Sequence, residues 1–183
     1  MVYLFLAEGF EESEALVPLD ILRRGEISVK TVGVTSEYVT GSHGICVKAD
    51  ILIDNIIMDD NLQAIILPGG MPGTVNLEKS GAVQAVIDFA AQNGKLIAAI
   101  CAAPMILGHK NLLNGKTATC FPGFEKDLFG ADVVKSPVVK DGSIITARGA
   151  GTAFEFGFEI LSYLADKSTS DNLKRQMQYT CGN

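Results

Sequence analysis

Short apolar runs alternate along this chain with segments of helical period, the pattern of an α/β fold with a largely parallel sheet. VYLFLA (2–7), SVKTVGV (28–34), AIILPGG (64–70) and KLIAAI (95–100) read as buried strands. GFEESEALVPLDILRRG (9–25) reads as a helix with Ala15, Leu19 and Leu22 on one face and Gly25 as its stop. Pro18 has no N–H for the Glu14 carbonyl, which predicts a kink or a loosened first turn. Residues 38–54 alternate around Gly41, Gly44 and Asp50 and read as a β-excursion or hairpin. AVQAVIDFAAQNG (82–94) places Val83, Val86, Ile87 and Ala90 on one helical face. Pro104 suits the first turn of a helix opening just after Cys101. Residues 131–147 hold two short strands around Asp141-Gly142, a strong hairpin signal. Thr152 followed by Glu155 predicts a capping box and a helix to about Ala165, with Phe154, Phe158 and Leu161 inward. A short helix over 170–178 and a frayed end follow.

The 183 residues suit a single domain, 1–183, with no linker, repeat or low-complexity segment inside it. A hydrophobic fraction of 48% with 20% charged residues belongs to a globular protein. The net charge of −6 argues against nucleic-acid and anionic-membrane partners. VYLFLA lacks a basic flank and is too short for a signal or membrane segment, so a cytoplasmic protein with reduced thiols is expected. Cys46, Cys101, Cys120 and Cys181 form no CxxC and have no histidine at zinc spacing, so no metal is expected. LPGGMPG is neither a dinucleotide fingerprint nor a P-loop, and no cofactor is expected.

Ligands of open parallel sheets bind at the carboxyl ends of the strands. Three features fall there: GFEESEA, LPGGMPG and Cys101 in LIAAICAAP. A cysteine between a buried strand and a helix start is either a small core residue or the nucleophile of a sharp elbow. Lowering a thiol pKa from about 8.5 to about 6 needs roughly 3.4 kcal/mol. A helix N-terminus contributes about 2 kcal/mol at best. The remainder is about one hydrogen bond to a charged group. His43 and His109, the only histidines, are poorly placed to donate it. Glu11 and Glu12 read as acidic complements of a helix start. Glu14, if burial keeps it protonated, can donate its O–H to a Cys101 thiolate. Gly69 and Gly70 are either turn glycines or, with the Ala102 N–H, oxyanion donors. Arg148 in ARGAG (147–151) is either structural or an anion ligand beside a wall of small residues.

GFEESEA with ALVPLDILRRG, AIILPGGMPG, LIAAICAAP and ITARGAGTAFEF together resemble the ThiJ/PfpI superfamily, in the branch of the Parkinsonism-associated protein deglycase and its bacterial homologues. The resemblance runs from residue 2 to about 165. It implies a flavodoxin-like three-layer sandwich with helices on both faces of a mostly parallel sheet, and a homodimer. It places the family's elbow cysteine on Cys101, its glutamate on Glu14 and its backbone donors on Gly69, Gly70 and Ala102. Members are glutathione-independent glyoxalases, deglycases, peroxide-responsive sensors or chaperones. The expected activity is therefore a Cys101-dependent glyoxalase or deglycase acting on small aldehydes or glycated substrates. The alternative is a redox sensor or stress chaperone working through oxidation of Cys101. Phe121 stands where many members carry a histidine, and the adjacent Cys120 is a potential resolving thiol.

Overall fold

The structure, a computed structural model, describes residues 1–180. In chain order its elements are β1 (Val2–Leu6), α1 (Glu12–Arg24), β2 (Val29–Gly33), β3 (Tyr38–Thr40), β4 (Cys46–Lys48), β5 (Ile51–Leu52), β6 (Ala64–Leu67), α2 (Gly73–Lys79) and α3 (Gly81–Gln92). There follow β7 (Leu96–Ile100), α4 (Pro104–His109), β8 (Thr117–Ala118), β9 (Asp132–Val133), β10 (Val138–Asp141), β11 (Ile144–Ala147), α5 (Ala153–Leu164) and α6 (Lys167–Gln176).

Seven strands form one sheet in the order β10-β11-β7-β6-β1-β2-β5, parallel except for the β10–β11 hairpin at Asp141-Gly142. Strand periodicity explains why both faces are covered. Val2, Leu4 and Leu6 of β1 enter one apolar cluster with Ile66, Ala98 and Ile100. Helices α1 and α5 roof that cluster through Leu19, Ile21, Leu22, Phe156 and Ile160. Tyr3, Phe5, Ile65, Leu67, Ile97 and Ala99 face the other way, beneath Leu77 of α2, Val83 and Ile87 of α3 and Leu107 of α4. The result is the expected three-layer sandwich. No helix among the described residues is long and apolar enough to cross a membrane.

Several local expectations are corrected. The helix expected over 9–25 begins only at Glu12, because Phe10 N–H closes a turn on the Ala7 carbonyl and Glu11 is the N-cap. It then runs through Pro18 as one element to Arg24. Residues 38–54 do form the expected hairpin, as β3–β4, and β5 beyond it joins the main sheet beside β2. Thr152 does not form a box with Glu155. Its hydroxyl donates to the Gly149 carbonyl (2.8 Å) and accepts from the Gly149 N–H (3.3 Å), closing a 3-10 turn before α5. Phe154 is outward and stacks near Tyr179, while Phe156 takes the inward position. Helix α6 starts earlier than 170 because Asp166 caps it, accepting from Thr169 N–H at 2.8 Å. The expected frayed end and Cys181 lie outside the described residues.

The chain steps outward from β1 to β2 and β5, then returns past β1 to β6, β7 and β11. The order therefore reverses between β1 and β6, where open α/β sheets hold ligands at the strands' carboxyl ends.

Candidate active site

Cys101 follows β7 at that edge with φ +66°, a left-handed backbone unusual for a side-chain-bearing residue. Such strain persists only where its surroundings impose it. Here Cys101 N–H donates to the Ala147 carbonyl (2.9 Å), and the Cys101 carbonyl accepts from Phe121 N–H (2.9 Å). Pinned on both sides, the residue turns its half-buried sulfur back toward α1. This is the elbow expected from LIAAICAAP, with Pro104 at the first position of α4.

Glu14 comes from the first turn of α1 and is 1% exposed. Its carboxylate accepts from Gly69 N–H at 2.9 Å and from the Ala150 amide, and it is hydrogen-bonded to the Cys101 thiol. Glu11 N–H in turn donates to the Gly69 carbonyl (3.0 Å), which latches the LPGG loop to the helix start. Only glycine fits at 69: a Cβ there would lie 2.6 Å from both Cys101 Cβ and Glu14 Oε2. Gly70 sits at φ +88°, and its amide and that of Ala102 donate to the Cys101 sulfur. The three backbone donors expected around one oxyanion are thus divided. Gly70 and Ala102 face the sulfur, whereas the Gly69 N–H is held by Glu14.

Burial pushes the Glu14 carboxyl up to about 7, helped by the neighbouring charge of Glu11 and offset by its hydrogen bonds. Burial, then the Glu14 charge, pushes the Cys101 thiol up to about 12. A thiol of independently lowered pKa is therefore not what the site provides: desolvation outweighs the two amides. The two groups titrate as a pair, and from about 7 to about 12 they hold one proton between them. Carboxylate and sulfur each have backbone donors, so the shared proton has a stabilised anion on either side of its transfer.

Neither histidine reaches the pair. His43 Nδ1 lies 2.9 Å from Glu12 Oε2, and His109 Nδ1 lies 2.5 Å from Glu78 Oε1. Glu12 is more than a helix-start charge. It is 5% exposed and accepts from His43 N–H (2.8 Å) and Ile45 N–H (3.3 Å), fastening the β3–β4 turn over α1. The signal available in sequence was a carboxylate with a histidine and glycines in the hairpin, without any indication that the two segments meet. Among the described residues, Glu11, Glu12 and His43 are the one group whose donor atoms, within 4.8 Å of one another, have the composition of a metal site. His43 and Glu12 already satisfy each other. Cys120, proposed as a resolving thiol, packs in the apolar cluster on the other face of the sheet from Cys101 and is 5% exposed. The small-residue wall of 147–151 is present: a Cβ at Gly149 would lie 3.8 Å from Glu14 Oε1 and 3.1 Å from the Phe121 ring.

A raised carboxyl pKa links to stability. Glu14 binds its proton more tightly folded than unfolded, so its contribution is fully present below the unfolded value of 4.5 and is lost as pH rises through about 7. Above that the ionised group costs the fold about 3 kcal/mol, from a difference of roughly 2.5 units. Glu14→Gln is therefore expected to be more stable than wild type near pH 8 by up to about 3 kcal/mol, with the gain shrinking toward about pH 4. Urea unfolding of both proteins at the two pH values measures it.

The model of the DJ-1/PfpI family matches residues 1–163. The chain is 39% identical over 165 residues to Protein DJ-1 homolog B of Arabidopsis thaliana, an alignment spanning 88% of this chain but 37% of that longer protein. It is 30% identical over 166 residues to a protein named a deglycase in Pyrococcus abyssi, across 89% of this chain and 98% of that one. Among solved structures, oxidised Toxoplasma gondii DJ-1 superposes with a TM-score of 0.93 at 34% identity, covering 98% of each chain.

Proposed function

The chain belongs to the DJ-1/PfpI family, and on that premise we propose that it is a cysteine-dependent glyoxalase or deglycase needing no glutathione. The observation that carries this reading is the buried Glu14 carboxyl hydrogen-bonded to the Cys101 thiol at the sheet edge. The name of the Pyrococcus abyssi relative points the same way.

In the proposed reaction the proton moves to Glu14, and the sulfur adds to the aldehyde carbon of an α-oxoaldehyde, giving a hemithioacetal whose oxygen takes up a proton. The proton on that carbon is then removed and one is returned to the adjacent carbon, with Glu14 as the shuttle. The first carbon is oxidised to a thioester and the second is reduced from ketone to alcohol, so no outside oxidant is needed. Water cleaves the thioester, releasing a 2-hydroxy acid and restoring the thiol. With a glycated amine or thiol as substrate, the amine or thiol leaves as the aldehyde passes to Cys101. Gly70 and Ala102 amides stand beside the sulfur, where charge develops on the hemithioacetal oxygen.

Purified protein mixed with methylglyoxal, without added thiols, is expected to form one lactate per methylglyoxal consumed. Lactate formation no faster than in buffer would overturn the reading. Oxidation of the same sulfur is the second reading, favoured by a neighbouring carboxyl that burial pushes up to about 7 and by the existence of an oxidised Toxoplasma gondii DJ-1 structure.

A further inference from the structure

The two oxygens of the Glu14 carboxyl face different parts of the molecule. Oε2 accepts from Gly69 N–H, on the LPGG side. Oε1 lies toward Gly149, where the position a Cβ would take is 3.8 Å from Oε1 and 3.1 Å from the Phe121 ring. One carbon at that point would touch both the carboxyl and the ring. Phe121 is also tied to the nucleophile, since its N–H donates to the Cys101 carbonyl at 2.9 Å. The reacting pair and the ring therefore adjoin.

Beside them is a cavity of about 370 Å³, lined by Phe121, Pro122 and Pro137 together with Gly149, Ala150 and Gly151. The lining is held in place: Ala150 donates its amide to Glu14, and the Pro137 carbonyl accepts from Arg148 N–H at 3.0 Å. Its polar members leave the wall largely apolar. The Thr152 hydroxyl is occupied by Gly149 as both donor and acceptor. Arg148, the one charged residue of the lining, lies within electrostatic range of Glu125. A phenylalanine alone on a surface is ordinary. Phe121, 46% exposed, is not alone, because two prolines and a stretch with no side chain beyond a methyl extend its apolar surface. Flat walls of this kind suit a ring, which stacks in an offset manner on phenylalanine and also lies well against a guanidinium.

The proposed reaction decides which end of a substrate lies here. The sulfur takes the aldehyde carbon, and Glu14 returns a proton to the adjacent ketone carbon, which therefore sits against the carboxyl. The remaining substituent of that carbon runs along Gly149 and Ala150 toward Phe121. In methylglyoxal it is a methyl group, which leaves most of the cavity empty. We propose that the cavity receives this substituent, that Phe121 is its specificity-determining residue, and that the preferred substrates are α-oxoaldehydes bearing an aromatic ring on the ketone carbon. The inference rests on the glyoxalase or deglycase reading and names the substrate class of the same site.

The test compares phenylglyoxal with methylglyoxal, each followed as its hydroxy acid, mandelate or lactate. The two aldehydes differ in intrinsic reactivity, so the readout is how substitution changes the ratio of their kcat/KM values. Phe121→Ala is expected to lower the phenylglyoxal-to-methylglyoxal ratio about 10-fold, chiefly through KM for phenylglyoxal. Phe121→Tyr, which keeps the ring, retains the ratio. A ratio that Phe121→Ala leaves unchanged overturns the proposal, including the case where both substrates lose rate equally. Should neither aldehyde turn over, the activity reading fails, and binding of the neutral product amides decides the cavity separately. Tighter binding of mandelamide than of lactamide by wild type, lost in Phe121→Ala, supports it; equal binding overturns it.

Discussion

Cys101→Ser is expected to bring lactate formation from methylglyoxal down to the buffer rate, a loss of at least about 1000-fold. A serine hydroxyl is nearly isosteric, keeps the backbone bonds to Ala147 and Phe121 and can occupy the same turn at φ +66°. Its proton is far harder to remove than a thiol's, and a Glu14 titrating near 7 is too weak a base for it. The loss therefore falls on chemistry, with unfolding free energy changed by only about 0.5 kcal/mol. The remaining described thiols cannot substitute. Cys120 is 5% exposed, with its thiol pushed up to about 11 by burial, and Cys46 sits on the exposed hairpin strand β4. Initial rates with matched urea curves separate lost chemistry from lost fold.

Glu14→Gln is expected to reduce kcat/KM for methylglyoxal by roughly 100- to 10,000-fold, the range for removing a positioned acid–base group. The amide can still accept from Gly69 N–H, so the LPGG loop keeps its latch. What disappears is a group that takes the thiol proton and then moves protons between adjacent carbons. The pH profile distinguishes this from a steric effect. Wild-type kcat/KM rises as the first proton leaves the pair near 7. The variant has no such limb, and a profile retaining it would show that another group supplies the proton transfer.

Much of this site was legible in sequence because it is built from local signals. A buried strand, a cysteine and a proline three residues on predict the elbow. Strand periodicity in β1, β6 and β7 places both apolar clusters. Glu14 stood out because a thiol without a histidine needs a protonated donor. The parts that were not legible depend on contacts between distant segments. Glu12 is buried only because the β3–β4 turn folds over α1, and nothing in EES records that. On α5, Phe158 and Leu161 face inward as expected, but Phe154 is exposed and Phe156 is buried in its place, because the three phenylalanines offer competing registers. Close approach to α1 decides between them: a Cβ at Gly157 would lie 2.7 Å from Ile21 Cδ1 and 3.0 Å from Pro18 Cα. The division of the glycine amides was hidden for a similar reason, since LPGG shows that donors can approach but not which anion each one meets. The thiol's raised pKa follows from its burial beneath neighbouring segments, which the local sequence around Cys101 does not record.

The central claim is that Cys101 and Glu14 share one proton across neutral pH. The most direct measurement is the alkylation rate of Cys101 as a function of pH, read by peptide mass in wild type and Glu14→Gln. The account predicts that the wild-type rate climbs through an apparent pKa near 7 to a plateau, with the second step out toward 12. Glu14→Gln should lose the step near 7. A single rise near the ordinary thiol value of about 8.5 in both proteins would contradict it.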